Sequence, residues 1–188
     1  MALLTILEFP DSRLRVKAKP VTDFDAALEK LAKDMLDTMY AAPGVGLAAI
    51  QVGKPLRLLV LDSHFSVEEG PDGALIPIDE QPLIFINPVI LSKDGKIQWE
   101  EGCLSVPGVS EIVERSEHVV VRYQSLTGEE KELEARGFLA VILQHEMDHL
   151  EGRLFVDRLS AVKKSLITNK IKKGTLRPKG RERMKVEL

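Results

Sequence analysis

The chain has one cysteine, Cys103, among its 188 residues. A single cysteine excludes an internal disulfide, so in a reducing cytosol this residue is a small buried side chain, a reactive thiol or a metal ligand. The sequence also lacks an apolar run close to the roughly 18 residues that cross a bilayer, and no basic segment precedes its short N-terminal apolar stretch. We therefore expect a cytoplasmic protein with no membrane partner.

Internal repeats and low-complexity segments are also absent. The composition, with 44% hydrophobic and 29% charged residues, is that of an ordinary globular protein. A chain of this length buries roughly 70% of its unfolded surface without the help of disulfides. These features predict a single folded domain at 1–165, followed by a basic helix and tail at 166–188.

Positive charge is concentrated near the end of the chain. Residues 162–188 contain ten Lys or Arg and two Glu, a net charge of +8; because the whole chain carries −3, residues 1–161 carry −11. Clustered cations attract phosphate groups, so this segment predicts contact with RNA. A solvated surface segment is the alternative interpretation, and no DNA partner is expected.

Hydrophobic periodicity predicts three helices. The first occupies 22–40, with Thr22 as its N-cap, and the last occupies 160–173. Between them, the segment 137–152 is apolar on every side in its first half, which is typical of a buried helix.

Short runs rich in Val, Ile and Leu predict the strands. They lie at 55–62, 82–91 and 118–124, and we expect the last of these to pair with 129–135. The polar segment 63–81 predicts a loop. The predicted fold class is therefore α+β, with a mostly antiparallel sheet packed around the buried helix and with an N-terminal and a C-terminal helix.

The buried helix contains the sequence QHEMDHLEG at 144–152. His145 and His149 lie one helical turn apart on the same face, about 6 Å from each other, and can bind one metal ion, while Glu146 can reach a water on that ion. Burial of these groups without partners would cost several kcal/mol, which an ion and its hydrogen-bonded surroundings would offset. We therefore predict a buried metal-binding helix, with two accidental surface histidines as the alternative.

Asp148 lies on the same helix. A buried carboxylate is stable only beside a cation or several hydrogen-bond donors. We expect either Arg115 or Arg153 to be its partner.

The helix motif leaves the third protein ligand open. Metzincin proteases place a third histidine where this chain has Phe155, and thermolysin-like proteases need a later glutamate, whereas the glutamates after Gly152 all belong to the basic tail. The upstream candidates are His64, His118 and Cys103. We favour Cys103, because one thiolate and two imidazoles leave a fourth position open, as in catalytic rather than structural sites.

A third stretch, PGVGLAAIQVG at 43–53, is rich in Gly and Ala. Small residues let the backbone approach a ligand closely, and Gln51 is a polar side chain within an otherwise apolar run. The spacing does not match the dinucleotide-binding glycine motif. By itself, this stretch is equally well interpreted as a loose apolar loop.

Taken together, GVGLAAIQVG, EGCLSVPG and QHEMDHLEG resemble the three signature motifs of bacterial peptide deformylases. The resemblance extends from ILEFPDSRLR near the N-terminus to LFVDRLS after the third motif. It implies removal of the N-formyl group from the methionine that starts nascent proteins. It also implies that Cys103, His145 and His149 bind one divalent metal ion, typically Fe2+ in the cell, with Zn2+, Ni2+ or Co2+ as substitutes.

The resemblance further implies catalytic roles for three residues. Glu146 would act as general acid and base toward a water that the metal activates. Gln51 and the backbone N–H of Leu104 would stabilise the oxyanion that forms when this water attacks the formyl carbon.

Apolar residues on the ligand face of the helix predict a pocket for the methionine side chain. Counted back from His145, they are Phe138, Val141 and Ile142, with core packing as the alternative role. The resemblance adds five further substrate-binding residues, which are Val45, Gly46, Trp99, Glu101 and Gly102.

Two other functions are compatible with the motifs: a metal-dependent peptidase, and an RNA- or ribosome-associated protein with a structural metal. The open fourth coordination position argues against the structural site. The basic tail also fits the deformylase prediction, because docking on ribosomal RNA would bring such an enzyme close to emerging chains.

Overall fold

A computed structural model describes residues 3–64, 66–69 and 75–174. The strands are β1 (Gly46–Ala48), β2 (Leu58–Leu61), β3 (Ser66–Glu69), β4 (Leu75–Ile78), β5 (Leu83–Asp94), β6 (Ile97–Gly102), β7 (Ser110–Arg115), β8 (His118–Gln124) and β9 (Glu130–Arg136). The helices are α1 (Ala26–Ala41), α2 (Gly137–Leu150) and α3 (Ala161–Lys172), and short 3-10 turns lie at Ser12–Arg15, Ala49–Val52 and Phe155–Arg158. None of the helices in these ranges has the length and apolar character needed to span a membrane.

Five strands form one antiparallel sheet in the order β1-β2-β5-β8-β9, and β3–β4 and β6–β7 form two separate hairpins. Helix α2 contacts β1, β2, β8 and β9, whereas α1 contacts β1 and β2. The predicted α+β class, with an antiparallel sheet packed around a buried helix, is confirmed.

The two helices cover opposite faces of β2. Because side chains of a strand alternate between its faces, Leu59 and Leu61 pack in one core cluster with Leu143 of α2. Leu58 and Val60 pack in a second cluster with Met35 and Met39 of α1. All four residues of β2 are completely buried, which explains why the sequence shows an unbroken apolar run here rather than an alternating one.

Helix α1 begins later than predicted, because Asp25 and not Thr22 is its N-cap. The Asp25 carboxylate accepts a hydrogen bond from the N–H of Leu28 at 2.9 Å. Asp and Thr are both suitable cap residues, and the periodicity alone does not choose between them. The end of the helix at Ala41 agrees with the prediction.

The segment 63–81, predicted as a loop, contains the hairpin of β3 and β4. The hairpin of β6 and β7 was also missed. In β6, Trp99 and Glu101 are less exposed than their neighbours Gln98 and Glu100. Glutamate is typically a surface residue, but the Glu101 side chain is buried here. The sequence of β6 therefore does not show the alternation of polar and apolar residues that predicts a strand.

Helix α3 begins after Ser160, whose side chain accepts from the N–H of Lys163, as the predicted start at 160 requires. It crosses the proposed domain boundary between residues 165 and 166. Ile167, beyond that boundary, is buried in a cluster with Val113 and Phe155. The part of the basic tail at 175–188 lies outside the described residues.

Gly152 ends the turn that follows α2 and brings the chain back toward Arg15. Its φ is +69°, and a Cβ there would lie 2.5 Å from the backbone oxygen of Arg15. Gly152→Ala should therefore lower the free energy of unfolding by about 2–4 kcal/mol, because it adds a backbone clash to the strain of a left-handed conformation. Chemical denaturation measures the loss.

The matched control is Gly137→Ala. Gly137 also has a positive φ, +56°, but a Cβ there would meet nothing within 4 Å. We expect this variant to lose only about 1 kcal/mol. An equal loss in both variants would show that contact with Arg15 does not matter.

Candidate metal centre

Three segments that are distant in the sequence meet beside α2. Cys103 directly follows β6, His145 and His149 lie on α2, and Gln51 lies in the 3-10 turn after β1. The potential ligand atoms of Cys103, His145 and His149 all lie within 4.8 Å of one another, and Cys103 Sγ is 3.4 Å from His149 Nε2. The predicted convergence of one thiol and two imidazoles is confirmed.

The other two candidates for the third ligand lie elsewhere. His64 is exposed, and its Nδ1 lies 3.2 Å from the hydroxyl of Ser63. His118 is at the start of β8, where its Nε2 lies 2.9 Å from a carboxylate oxygen of Glu134. Among the described residues, Cys103, His145 and His149 are the group of His, Cys and acidic side chains that could hold a metal ion.

The ring orientation of His145 suits metal binding. Its Nδ1 lies 2.7 Å from Glu101 Oε2, so the ring donates from Nδ1 and its Nε2 can bind an ion. Burial disfavours protonation of His145, but hydrogen bonds to Cys103 and Glu101 raise its pKa well above the ordinary value. The cluster therefore attracts positive charge.

His149 is completely buried, and burial lowers its pKa well below the ordinary value. The neutral imidazole that results is the form that binds metals. In a tetrahedral site with ordinary bond lengths, the ligand atoms are roughly 3.5 Å apart, which is close to the separation of Cys103 Sγ and His149 Nε2. The residues present therefore fit one divalent ion.

A buried network of charged side chains supports His145 from behind. Arg115 Nε and Nη2 donate to the two carboxylate oxygens of Glu101 at 2.6 and 2.8 Å, and Arg115 Nη1 donates to Asp148 Oδ2 at 2.5 Å. Arg158 Nε and Nη2 donate to Asp148 Oδ2 and Oδ1, both at 2.6 Å. Burial raises the pKa values of Glu101 and Asp148, but the guanidinium groups outweigh it and lower both, so both carboxylates are ionised.

The expectation of a cationic partner for Asp148 is confirmed for Arg115. The second partner is Arg158 and not Arg153, because the turn at Gly152 and the 3-10 turn Phe155–Arg158 return the chain to the side of α2. No local pattern in the sequence identifies Arg158, since its position depends on this reversal of the chain.

Glu146 lies in a space that Gly46 leaves open. Its carboxylate is buried, and among the described residues its Oε2 has no hydrogen-bond partner. A Cβ on Gly46 would lie 2.5 Å from Glu146 Oε1, so only glycine permits this approach. Burial raises the pKa of the Glu146 carboxyl to about 7. Such a group can both accept and donate a proton near neutral pH.

The amide of Gln51 is held in one orientation. The N–H of Ala48 donates to Gln51 Oε1 at 2.7 Å, which directs Gln51 Nε2 toward Cys103 Sγ at 3.6 Å and Ser105 Oγ at 3.2 Å. The segment 43–53 is therefore not a loose loop, because it forms β1 and a 3-10 turn that place Gln51 against the cluster. The contact with Ser105 was not predicted.

Leu104 follows Cys103 and approaches the backbone of the glycine-rich segment. A Cβ on Gly44 would lie 2.6 Å from Leu104 Cδ1. The side chain of Leu104 thus packs against the segment that carries Gln51. Its role as an oxyanion donor stays a prediction.

Four of the predicted pocket residues differ in burial and packing. The rings of Trp99 and Phe138 stack with their centroids 5.2 Å apart, and both side chains are partly exposed. Val141 is buried, and Ile142 lies in the core cluster between α2 and the sheet. The packing of Ile142 agrees with its alternative role in the core, and its place in the pocket stays a prediction.

Val45, Gly102 and Glu101 are the remaining predicted substrate-binding residues apart from Gly46. Val45 is partly buried and packs against the core cluster that contains Ile142. Gly102 ends β6 and pairs with Ser110. Glu101 is held by Arg115 and His145, so its contact with the site runs through the ring of His145.

Comparisons with known proteins agree with this geometry. Residues 3–165 match the family model described as polypeptide deformylase. The chain is 52% identical over 174 residues to the peptide deformylase of Hahella chejuensis, an alignment that covers 92% of this chain and 96% of that one. The crystal structure of a peptide deformylase from Legionella pneumophila superposes with a TM-score of 0.80 at 44% identity, covering 93% and 96% of the two chains.

A crystal structure of the peptide deformylase from Ehrlichia chaffeensis in complex with actinonin gives a TM-score of 0.81 at 39% identity, covering 93% of this chain and 98% of that one. The sequence resemblance is thereby confirmed across nearly the whole described structure. The chain belongs to the polypeptide deformylase family.

Proposed function

We propose that the protein hydrolyses the N-formyl group of N-formylmethionyl nascent peptides and releases formate, with one divalent metal ion held by Cys103, His145 and His149. The observation that carries this proposal is the convergence of these three side chains next to Glu146, whose Oε2 has no hydrogen-bond partner among the described residues. Three protein ligands leave a coordination position for water and substrate. Because the proposed substrates are nascent chains on the ribosome, the proposed activity is cytoplasmic.

The metal is proposed to be Fe2+ in the cell, with Zn2+, Ni2+ or Co2+ able to occupy the same ligands. A thiolate is a soft ligand that adds negative charge to the site, and imidazole suits all four ions. When bound, the ion would supply a nucleophilic water at neutral pH and polarise the formyl oxygen.

Glu146 has the geometry of a proton carrier. Its Oε2, which has no hydrogen-bond partner among the described residues, can accept a proton from the attacking water, and the same carboxyl can then give that proton to the departing amine nitrogen. Proton transfer in both directions requires a carboxyl that titrates near neutrality, which burial in the space beside Gly46 provides.

Gln51 and Leu104 are proposed to stabilise the oxygen that becomes negative. Gln51 Nε2 is already directed at the cluster, because the N–H of Ala48 holds Oε1. The backbone N–H of Leu104 lies in the segment that follows Cys103. Each donor of this kind is worth about 3 kcal/mol in an oxyanion hole.

The methionine side chain is proposed to bind beside the aromatic pair of Trp99 and Phe138. These rings join β6 to α2 and are partly exposed, so they can cover an apolar, flexible side chain. Val45, Gly46 and Val141 are proposed to complete the wall of this pocket, with Gly102 beside it. The role of Glu101 is to orient His145 rather than to contact substrate.

The alternative functions are less well supported. Structural metal sites are usually closed by four protein side chains, whereas three protein ligands are proposed here. A structural metal also gives no role to the buried carboxyl of Glu146 next to those ligands. A general peptidase is disfavoured by membership of the deformylase family. The structural-metal alternative predicts that substitution of Glu146 spares the function, and the peptidase alternative predicts cleavage of internal peptide bonds.

Glu146→Gln should reduce kcat for formate release from an N-formylmethionyl tripeptide by about 10²–10⁴-fold, because the amide cannot carry the proton. Metal content should stay unchanged, since Glu146 is not a proposed ligand. The measurements are a formate assay and metal analysis of the same anaerobic preparation. Glu151→Gln is the control, because Glu151 lies at the end of the same helix and pairs with Lys17 and Arg57 at the surface.

Turnover of Glu146→Gln near the wild-type rate would contradict the proposed role. Cleavage of internal peptide bonds by the wild-type protein, without release of formate, would favour the peptidase instead.

Gly46→Ala should lower kcat by about 10-fold or more, because the new Cβ would displace the Glu146 carboxylate. The double variant Gly46→Ala with Glu146→Gln tests the cause. If Gly46 acts through Glu146, the double variant should be no slower than Glu146→Gln alone. Independent, multiplying losses would mean that Gly46 acts mainly on substrate binding.

We also propose that the basic tail docks on the ribosome. Residues 175–188 carry five Lys or Arg and two Glu, and clustered cations bind RNA phosphates in a salt-dependent way. Removal of 175–188 keeps α3 and the buried Ile167. This truncation should preserve turnover of a short peptide but weaken binding to ribosomes and flatten its salt dependence, as cosedimentation measures.

A variant with the five cations at 175–188 replaced by Gln is the matched control for length. It should bind ribosomes as weakly as the truncation. Ribosome affinity equal to that of the intact chain in both variants would exclude the tail as the docking element.

A further inference from the structure

We infer that Arg158 is a positioning residue for the metal centre: through Asp148, Arg115 and Glu101 it fixes the ring of His145 and so slows release of the metal. This inference rests on the metal centre proposed above. It adds a function for the 3-10 turn Phe155–Arg158, which contains none of the proposed ligands or catalytic groups.

The contacts form an unbroken series of charge-assisted hydrogen bonds. Arg158 binds both oxygens of Asp148, Asp148 accepts from Arg115, and Arg115 binds both oxygens of Glu101. Glu101 Oε2 then accepts from His145 Nδ1 at 2.7 Å. Bonds of this type are short, directional and roughly twice as strong as neutral ones.

The series is balanced in charge only when Arg158 is present. Two guanidinium groups, Arg115 and Arg158, face two carboxylates, Glu101 and Asp148. The side chain of Arg115 is completely buried, and those of Glu101 and Asp148 are 3% and 10% exposed. Without Arg158, Arg115 would be the remaining guanidinium for both carboxylates, and a stronger pull from Asp148 would loosen its grip on Glu101.

A looser Glu101 matters because it sets the orientation of a metal ligand. Partners of ligating histidines typically change metal affinity by 10–100-fold when they are removed. Arg158 is three residues further along the series than Glu101, so we expect a smaller effect of the same sign.

The position of Arg158 is itself rigid. Asp157 accepts a hydrogen bond from the N–H of Leu154 at 2.8 Å, and it forms ion pairs with Arg15 and Lys164. Phe155 and Val156 are buried in a core cluster. These contacts hold the backbone of Arg158 in place independently of Asp148. The arginine can therefore set the orientation of the Asp148 carboxylate.

Arg158 can also be reached from solvent. Its side chain is 39% exposed, and it lines a cavity of about 320 Å³ together with Arg115, Gln144 and Asp148. Truncation of the arginine would leave Asp148 accessible to a small cation such as guanidinium.

The test uses the full chain loaded with Co2+ and compares Arg158→Ala, Arg158→Lys and the wild type. Transfer of the ion to excess chelator gives the release rate, and the visible absorption of Co2+ reports its coordination. Arg158→Ala should release Co2+ about 3–10-fold faster, with altered absorption bands. Millimolar guanidinium should restore the slower release, and Arg158→Lys should be intermediate, because lysine cannot form the bidentate pair.

Arg153→Ala is the control, because Arg153 lies in the same segment and its side chain forms no hydrogen bond with another described residue. It should match the wild type in release and spectrum. The inference would be overturned if Arg158→Ala released Co2+ no faster than the wild type. It would also be overturned if the release were faster but guanidinium did not slow it and Arg158→Lys behaved like Arg158→Ala.

The failure of this inference is distinguishable from failure of the proposed function. Absence of stoichiometric Co2+ binding by the wild type would remove the metal centre and the inference together. Normal Co2+ binding without formate release would overturn the proposed reaction and leave the role of Arg158 intact.

Discussion

The burial of charged and polar groups along one helix is the constraint on which this structure depends. Helix α2 passes through the core, yet His145, Glu146, Asp148 and His149 are all buried there. A buried charge without a partner is costly enough to prevent folding of a domain that is only marginally stable. Each of these groups must therefore meet a partner from another part of the chain, bind an ion or lose its charge.

The partners come from three directions. The hairpin of β6 and β7 supplies Glu101 and Arg115, the 3-10 turn after α2 supplies Arg158, and the segment around β1 supplies Gly46 and Gln51. The arginines neutralise Asp148, and Glu101 orients the ring of His145. On α2, two buried side-chain atoms have no hydrogen-bond partner among the described residues, His149 Nδ1 and Glu146 Oε2, and they belong to the proposed metal centre and the proposed proton carrier.

Much of this arrangement was predictable. The helical spacing of His145 and His149 is a local property, so a metal-binding helix followed from the sequence, and the three motifs together indicated the family. The strands of the central sheet were predicted where apolar runs are long. The β6–β7 hairpin and the β3–β4 hairpin were missed, because one carries its charged Glu101 inward and the other consists of two four-residue strands within a largely polar segment.

The roles of individual residues divide in the same way. Cys103 was favoured as the third ligand by the chemistry of the donor set, and the structure brings its sulfur to the histidines. Gly46 was expected to line a pocket, but the structure also shows that it makes room for Glu146. Arg158 was not foreseen, because bidentate pairing with Asp148 requires a reversal of the chain that begins at Gly152.

The sequence by itself determined the donor types, their spacing on α2 and the family, since these depend on residue identity and on contacts within one or two helical turns. Only the tertiary structure decided which carboxylate orients His145, which arginine completes the ionic series and which glycine admits Glu146. Glu101 and His145 are 44 residues apart along the chain. Such pairings are set by how the hairpin and the turn pack against α2, and no local propensity encodes that packing.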